Sequence, residues 1–320
     1  MNNNIVSILI PIFNVEKYIE RCARSLFEQT YRDIEYIFVD DCSPDNSVAF
    51  LNKALQNYPQ RKEHVSIIKH SSNRGLAAAR NTAVENCKTD FLMHVDSDDY
   101  LTHDAVEKLV KKQQETGADI VTGQALRQFK HGIEIMERPH FYSHDGFVED
   151  MIKPSYHHTI WGRLIRKSLY TDNNILAKDG VNIGEDLQVM SQLAYYTHKE
   201  EPLWDVVYYY NCINEGSYMN QHKEASLFKL LQDTESMEVV RIFFENKEPR
   251  FYNLAEKYLM NYYLRLLNYY CEKGDSHNYH SIQKKLFSLK KENREMSKLR
   301  SLKTRHYILH RIKKHIGKIL

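Results

Sequence analysis

The feature that most constrains the fold is an alternation of two hydrophobic periods along the first 125 residues. Val6 to Pro11 is a short apolar run of strand character, after which Ile19, Cys22, Ala23, Leu26 and Phe27 recur at helical spacing on one face. Ile34 to Val39 is a second strand, followed by a helix from Ser47 that Asp45 or Asn46 could cap. Val65 to Ile68, Phe91 to Val95 and Ile120 to Thr122 read as further strands, with helices near Ala77 to Asn86 and Asp104 to Thr116. Strands that are apolar nearly throughout and alternate with helices predict an α/β fold, a mostly parallel sheet covered by helices on both faces.

In such a sheet, ligands bind beyond the carboxyl ends of the strands. Those ends are polar here: Pro11 to Asn14, then Asp40 and Asp41, then Asp96, Ser97, Asp98 and Asp99. Acidic groups gathered at one sheet edge repel one another unless a cation sits among them. If Asp96 and Asp98 stay extended, the period of two sets both carboxylates on one side. Hard oxygen ligands at that spacing suit magnesium or manganese, and an ion held by one or two carboxylates keeps positions open for phosphate oxygens. Such an ion neutralises a diphosphate leaving group. The bland alternative for an isolated Asp-x-Asp is a solvated loop or helix cap. No Gly-x-Gly-x-x-Gly follows the first strand and no Gly-x-x-x-x-Gly-Lys-Ser/Thr occurs, which argues against dinucleotide and P-loop chemistry.

Four runs then carry a resemblance: Val6-Ser-Ile-Leu-Ile-Pro-Ile-Phe-Asn14, Val39-Asp-Asp-Cys-Ser-Pro-Asp45, Asn73-Arg-Gly-Leu-Ala-Ala-Ala-Arg-Asn81 and Asp96-Ser-Asp-Asp99. In this order they resemble the successive signatures of family 2 glycosyltransferases, which have the GT-A fold. The resemblance is close to about residue 125, looser to 220, and absent beyond. It implies a nucleotide pocket lined by Pro11, Phe13 and Glu16, with Asp41 accepting a hydrogen bond from the base, commonly uracil. It further implies Asp96 and Ser97 beside the ribose, Asp98 on a metal that bridges the diphosphate, and Asp99 as an assisting ligand. Cys42 stands where the family usually has glycine, so the turn could differ slightly there.

A second resemblance lies in Thr159-Ile-Trp-Gly-Arg-Leu-Ile-Arg166 and Gly184-Glu-Asp-Leu187, which look like the acceptor-side motifs of the same family. Asp186 is the candidate general base that removes the acceptor hydroxyl's proton, and Glu185 would orient the acceptor or the base. Both acids would equally serve as caps of a helix beginning near Leu187. Arg74 and Arg80 are candidates for donor phosphate contacts, with a structural ion pair to an acid at the sheet edge as the rival. Trp161 is a candidate for stacking on an acceptor sugar, with burial in the core as its rival. The pair His157-His158 has no further ligands at metal spacing and reads as polar surface.

These elements define a GT-A domain over 1–220, with a donor half 1–125 and an acceptor half 126–220, and a helical C-terminal appendage over 221–320. Leu227, Leu230 and Leu231, then Leu259, Tyr262, Tyr263, Leu266 and Leu267, mark its helices. From Lys290 onward only Glu292 and Glu295 offset many Lys and Arg, although the whole chain of 320 residues is near neutral at +2. Leu299, Leu302, Tyr307, Ile308, Ile312, Ile316 and Ile319 recur among those bases, a pattern compatible with a helix on an anionic membrane, or with packing on the protein or a partner. Nucleic-acid binding has no supporting motif. The five cysteines are scattered and unpaired in pattern, and no basic leader or long apolar run is evident, which together suit a cytoplasmic protein, peripheral at most on the membrane's inner face.

The expected activity is that of an inverting, Mn2+- or Mg2+-dependent transferase that moves a sugar from a nucleotide diphosphate, UDP foremost, to a hydroxyl of a glycan or lipid-linked acceptor in surface-polysaccharide assembly. A nucleotidyltransferase would need a Gly-rich, Arg-containing loop after the first strand, which Ile10 to Asn14 does not provide. A non-catalytic carbohydrate-binding or scaffold subunit with the same fold is the alternative from another class.

Overall fold

The computed structural model describes residues 5–136, 138, 143–155, 158–214 and 226–289. The expectations placed on His157, on the boundary near residue 220 and on the basic tail from Lys290 lie outside these residues.

The N-terminal half follows the expected alternation: β1 (Val6–Ile12), α1 (Ile19–Phe27), β2 (Ile34–Asp40), α2 (Ser47–Leu55), β3 (Val65–Lys69), α3 (Leu76–Asn86) and β4 (Phe91–His94). A short β5 (Tyr100–Leu101) and α4 (Ala105–Thr116) lead into β6 (Ile120–Phe129) and β7 (Gly132–Met136). Then come α5 (His144–Ile152), β8 (Arg163–Arg166), α6 (Ser168–Thr171), α7 (Glu185–Tyr196) and β9 (Glu200–Asn211), followed by α8 (Leu227–Phe244), α9 (Pro249–Lys273) and α10 (Ser276–Ser288).

One sheet runs β3-β2-β1-β4-β8-β6-β9-β5, with β7 paired to β6. β3, β2, β1 and β4 are mutually parallel, which is the part the apolar runs describe. β8 is antiparallel to both β4 and β6, and β9 returns parallel to β6 and antiparallel to β5, so β5, β6, β8 and β9 form the mixed part of the sheet.

Every residue of β1 is buried, because the sheet is covered on both sides. Its alternation sorts the core into two layers. Leu9 joins Ile37, Val39 and the alanines of α3 on one face, while Ile8 and Ile10 join Tyr36, Phe38 and the apolar stripe of α1 on the other. The first layer continues without interruption through α7 into α8, α9 and α10, where Met237, Phe244, Phe251, Leu259 and Leu266 are buried. The C-terminal helices therefore share a core with the sheet. None of the described helices is long and apolar enough to cross a membrane.

Candidate active site

Two strand ends and one helix N-terminus converge on one edge. β2 ends at Asp40, and the following Asp41 is 3% exposed. Asp41 Oδ1 accepts from the Arg74 amide at 2.8 Å and pairs with His70 Nδ1 at 2.7 Å, while Oδ2 accepts from the Gly75 amide at 2.7 Å. A carboxylate has about four acceptor positions, so Asp41 keeps at most one for a ligand and chiefly shapes the wall. Cys42 adopts a left-handed φ of 57°, so the turn keeps a glycine-like course despite its Cβ. Around it Glu16 Oε2 accepts from the Asn46 amide and side chain, and Asp45 ties Ser43, Ser47 and the Glu16 amide together. Pro11 is buried in β1 opposite Val39, whereas Phe13 stands 45% exposed, an apolar ring free to meet a planar ligand.

The second strand end is the Asp96–Asp99 turn after β4. Asp96 is partly exposed and accepts from Arg80 Nη2 at 2.7 Å, and Ser97 is 5% exposed. Asp98 Oδ2 accepts from the Asn214 amide at 2.8 Å, and its carbonyl accepts from Arg21 and Asn211. Burial, and then the charge of Asp96, pushes the Asp98 carboxyl up to about 6. Asp99 departs from its expected place as an assisting metal ligand. It is fully buried, with Oδ2 accepting from the Tyr208 hydroxyl and Oδ1 from the Asn211 amide, both at 2.7 Å, so its oxygens are committed to the core.

Among the described residues no group of three or more His, Cys, Asp or Glu side chains is arranged to hold an ion. Of the acids in the turn, Asp96 and Asp98 remain partly exposed. Two hard oxygen donors fit magnesium or manganese, which retain open positions for waters and phosphate.

The third contribution comes from the N-terminus of α7. The helix begins at Glu185, two residues before the expected Leu187, with Gly184 at its N-cap and no side-chain cap hydrogen bond, so Glu185 and Asp186 lie in the first turn without capping it. Arg80 Nη1 donates to Glu185 Oε1 at 2.6 Å and to Asp186 Oδ1, so one buried guanidinium joins three carboxylates from positions 96, 185 and 186. Small Ala77, Ala78, Ala79 and Ala83 let α3 lie close to the sheet, which carries Arg80 inside. Of the two readings offered for Arg80, the structure realises the ion pair. Burial opposes its charge, but Asp186, Asp96 and Glu185 more than offset that and raise its pKa. Glu185 is pushed up to about 8 by burial and by Asp186, against the pull of Arg80. Burial likewise raises Asp186, whose Oδ2 also accepts from the Ile160 amide at 3.3 Å.

Arg74 is exposed and pairs with Asp179 at 3.1 Å. Trp161 takes the core alternative: at 3% exposure it stacks on Tyr208 at 4.4 Å and on Tyr210 at 5.4 Å, with the Arg138 guanidinium 4.9 Å from its ring. It is not available to stack on a sugar.

Tyr208, Asn211 and Asn214, which hold the Asp96–Asp99 turn, went unidentified from sequence. The run Val206-Val-Tyr-Tyr-Tyr-Asn211 has the β-branched and aromatic composition of a strand and was the signal that could have placed them.

The chain matches the family model described as glycosyl transferase family 2 over residues 7–174. It is 28% identical over 190 residues to an uncharacterized glycosyltransferase, EpsJ, of Bacillus subtilis, a stretch covering 57% of this chain and 54% of that protein. It is 30% identical over 220 residues to a poly(ribitol-phosphate) beta-glucosyltransferase of Bacillus spizizenii, covering 67% of this chain and 33% of that one. The chain thus spans about half the length, or less, of these relatives. Among solved structures, residues 1–349 of S. aureus TarS in complex with UDP-GlcNAc superpose with a TM-score of 0.56 at 19% identity, over 88% of this chain and 90% of that one. At that identity the likeness is one of fold, and the fold is the GT-A architecture expected from the motifs.

Proposed function

The chain belongs to glycosyl transferase family 2, and from that premise we propose that it transfers a sugar from a nucleoside-diphosphate sugar, UDP-linked in the first instance, to a hydroxyl of a glycan or lipid-linked acceptor in polysaccharide biosynthesis. The observation that carries this reading is the Arg80 junction, which draws an acid of the strand-end turn, Asp96, together with two acids of the acceptor half, Glu185 and Asp186. The bacterial relative named for glucosylating poly(ribitol phosphate), and the fold neighbour solved with UDP-GlcNAc, support both the substrate class and the nucleotide.

In this reading residues 1–125 bind the donor and 126–220 the acceptor, the helices between 226 and 289 form a C-terminal appendage, and the basic sequence from Lys290 is the segment suited to an anionic membrane surface. Phe13 and Glu16, with Pro11 beneath and Asp41 in the wall, surround the base, and Asp96 and Ser97 lie toward the ribose. Asp98 and Asp96 would hold Mn2+ or Mg2+, whose chemistry is to neutralise the charge that develops on the departing diphosphate. Arg74, on the surface beside this edge, is the candidate for a further phosphate contact. Asp186 takes the proton of the acceptor hydroxyl as its oxygen attacks the anomeric carbon from the side opposite the nucleoside diphosphate, which inverts the configuration. Arg80 donates to Asp186 Oδ1 and favours its charged form against the burial that raises its pKa, and so holds the base in place. Glu185, protonated up to about pH 8, can donate a hydrogen bond without competing as a base.

The test is sugar transfer and UDP-sugar hydrolysis with and without Mn2+ in three proteins. Asp98→Asn should abolish turnover. Asp186→Asn should lower kcat by roughly 10^2 to 10^4, the usual worth of a general base, and leave UDP affinity unchanged. Full activity of metal-stripped Asp98→Asn protein would exclude the metal role, and absence of sugar release by wild type under every metal condition would favour the scaffold alternative.

A further inference from the structure

The turn that carries the candidate metal carboxylate is held from outside by the end of one strand. Tyr208 of β9 accepts a hydrogen bond from the Asp96 amide at 3.1 Å and donates to Asp99 at 2.7 Å. Asn211 donates its amide to Asp99 Oδ1 at 2.7 Å and its side chain to the Asp98 carbonyl at 3.1 Å. Arg21, on α1, donates to the same carbonyl at 3.1 Å. The backbone of Asp98 is thereby fixed, but none of these bonds sets the rotation of its carboxylate.

That rotation is addressed by Asn214, three residues beyond β9, whose Nδ2 donates to Asp98 Oδ2 at 2.8 Å. Asn214 is 6% exposed, and the Ile213 amide bonded to Asn211 Oδ1 at 3.2 Å fixes the chain just before it. A ligating carboxylate whose second oxygen is hydrogen-bonded meets a cation in one orientation, and loss of such a partner typically costs 10- to 100-fold in metal affinity. An asparagine suits the role because its amide N–H remains a donor at every pH and adds no charge to the pair of acids.

We infer that Asn214 is a positioning residue of the donor site, one that presets the Asp98 carboxylate for a divalent cation. The inference rests on the metal-dependent reading of this edge. It also makes the C-terminal end of β9 part of the donor site, although it lies more than a hundred residues from the donor motifs in sequence.

The experiment measures Mn2+ binding by electron paramagnetic resonance on the full chain in the presence of UDP, and separately UDP binding without metal. In Asn214→Ala, Mn2+ should bind 10- to 100-fold more weakly, while metal-free UDP affinity and the melting temperature stay near those of wild type. Asn214→Ser, which shortens the donor's reach, is measured alongside and decides the matter alone if the alanine protein does not fold. Wild-type affinity for Mn2+ in a folded variant overturns the role of Asn214 and leaves the metal reading intact. Failure of wild type itself to bind Mn2+ with UDP overturns the metal reading, and this inference with it.

Discussion

The arginine at position 80 is the residue on which both halves of the candidate site depend, and its charge accounting has a measurable consequence. One guanidinium faces three carboxylates, so the ionised cluster carries excess negative charge that one retained proton reduces without removing. Burial and the neighbouring Asp186 raise Glu185 from 4.5 to about 8, which favours its protonated form. Between these two values the folded state binds a proton that the unfolded state has released, so stability falls as pH rises. The contribution is complete below about pH 4.5, declines through the interval, and is gone above about 8. Glu185→Gln, which cannot ionise, should therefore match wild type near pH 5. At pH 8.5 it should be the more stable protein by at least ~1.4 kcal/mol, the equivalent of a tenfold change in proton affinity. Urea unfolding at the two pH values measures this, and parallel pH profiles for both proteins would show that Glu185 is ionised in the fold.

At the scale of elements, β9 supports the Asp96–Asp99 turn, and Tyr208 is its central contact. Tyr208→Phe keeps the ring that stacks on Trp161 and deletes only the hydroxyl that bridges the Asp96 amide and Asp99. Two polar groups would lose a partner, at about 1–3 kcal/mol each, so a loss of about 2–6 kcal/mol is expected in denaturant unfolding; a change below about 0.5 kcal/mol would mean that water replaces the hydroxyl. The same strand shows where sequence reading stops. β1, α1, β2 and α2 were legible nearly to the residue, because strands buried on both faces are apolar without interruption and α1 has one clean apolar stripe. β9 mixes exposed and buried residues irregularly and shifts register against β6, so it shows neither the continuous apolar run nor the strict alternation that marks a strand in sequence. Trp161 and Arg80 were both left between a ligand and a structural role. That choice depends on partners such as Tyr208, Glu185 and Asp186, about 50 to 105 positions away, which no local pattern encodes.

For the whole molecule, the C-terminal helices aim the acids of the acceptor half as well as completing the core. Along one face of α8, Gln232 Oε1 accepts from the Asn182 amide at 2.7 Å, Glu235 pairs with Lys178 at 2.7 Å, and Ser236 donates to the Ile183 carbonyl at 2.8 Å. Positions 232, 235 and 236 are one helical turn, and together they grip the segment that leads into Glu185 and Asp186. The other side of that segment is bound to the donor half: Asn182 Oδ1 accepts from the Ala77 amide at 3.0 Å and Asp179 meets Arg74. Gly75, with φ at 90°, leaves room for the Asn182 side chain, which a Cβ there would meet at 2.3 Å. The hinge into α7 is Gly184, whose φ of 79° favours glycine and where an added Cβ would lie 2.8 Å from Ser236 Oγ. Gly184→Ala should thus cost about 1–2 kcal/mol for the left-handed backbone, and more for the displaced serine. Because the displacement falls on the acids of α7 and leaves the strand ends untouched, the single-turnover transfer rate should drop at least ~10-fold with UDP affinity unchanged, as a small misplacement of a catalytic group does. Equal losses in transfer and in UDP binding would instead mean that α8 supports the donor edge as a whole, and an unaffected transfer rate in a destabilised protein would separate the appendage from the chemistry.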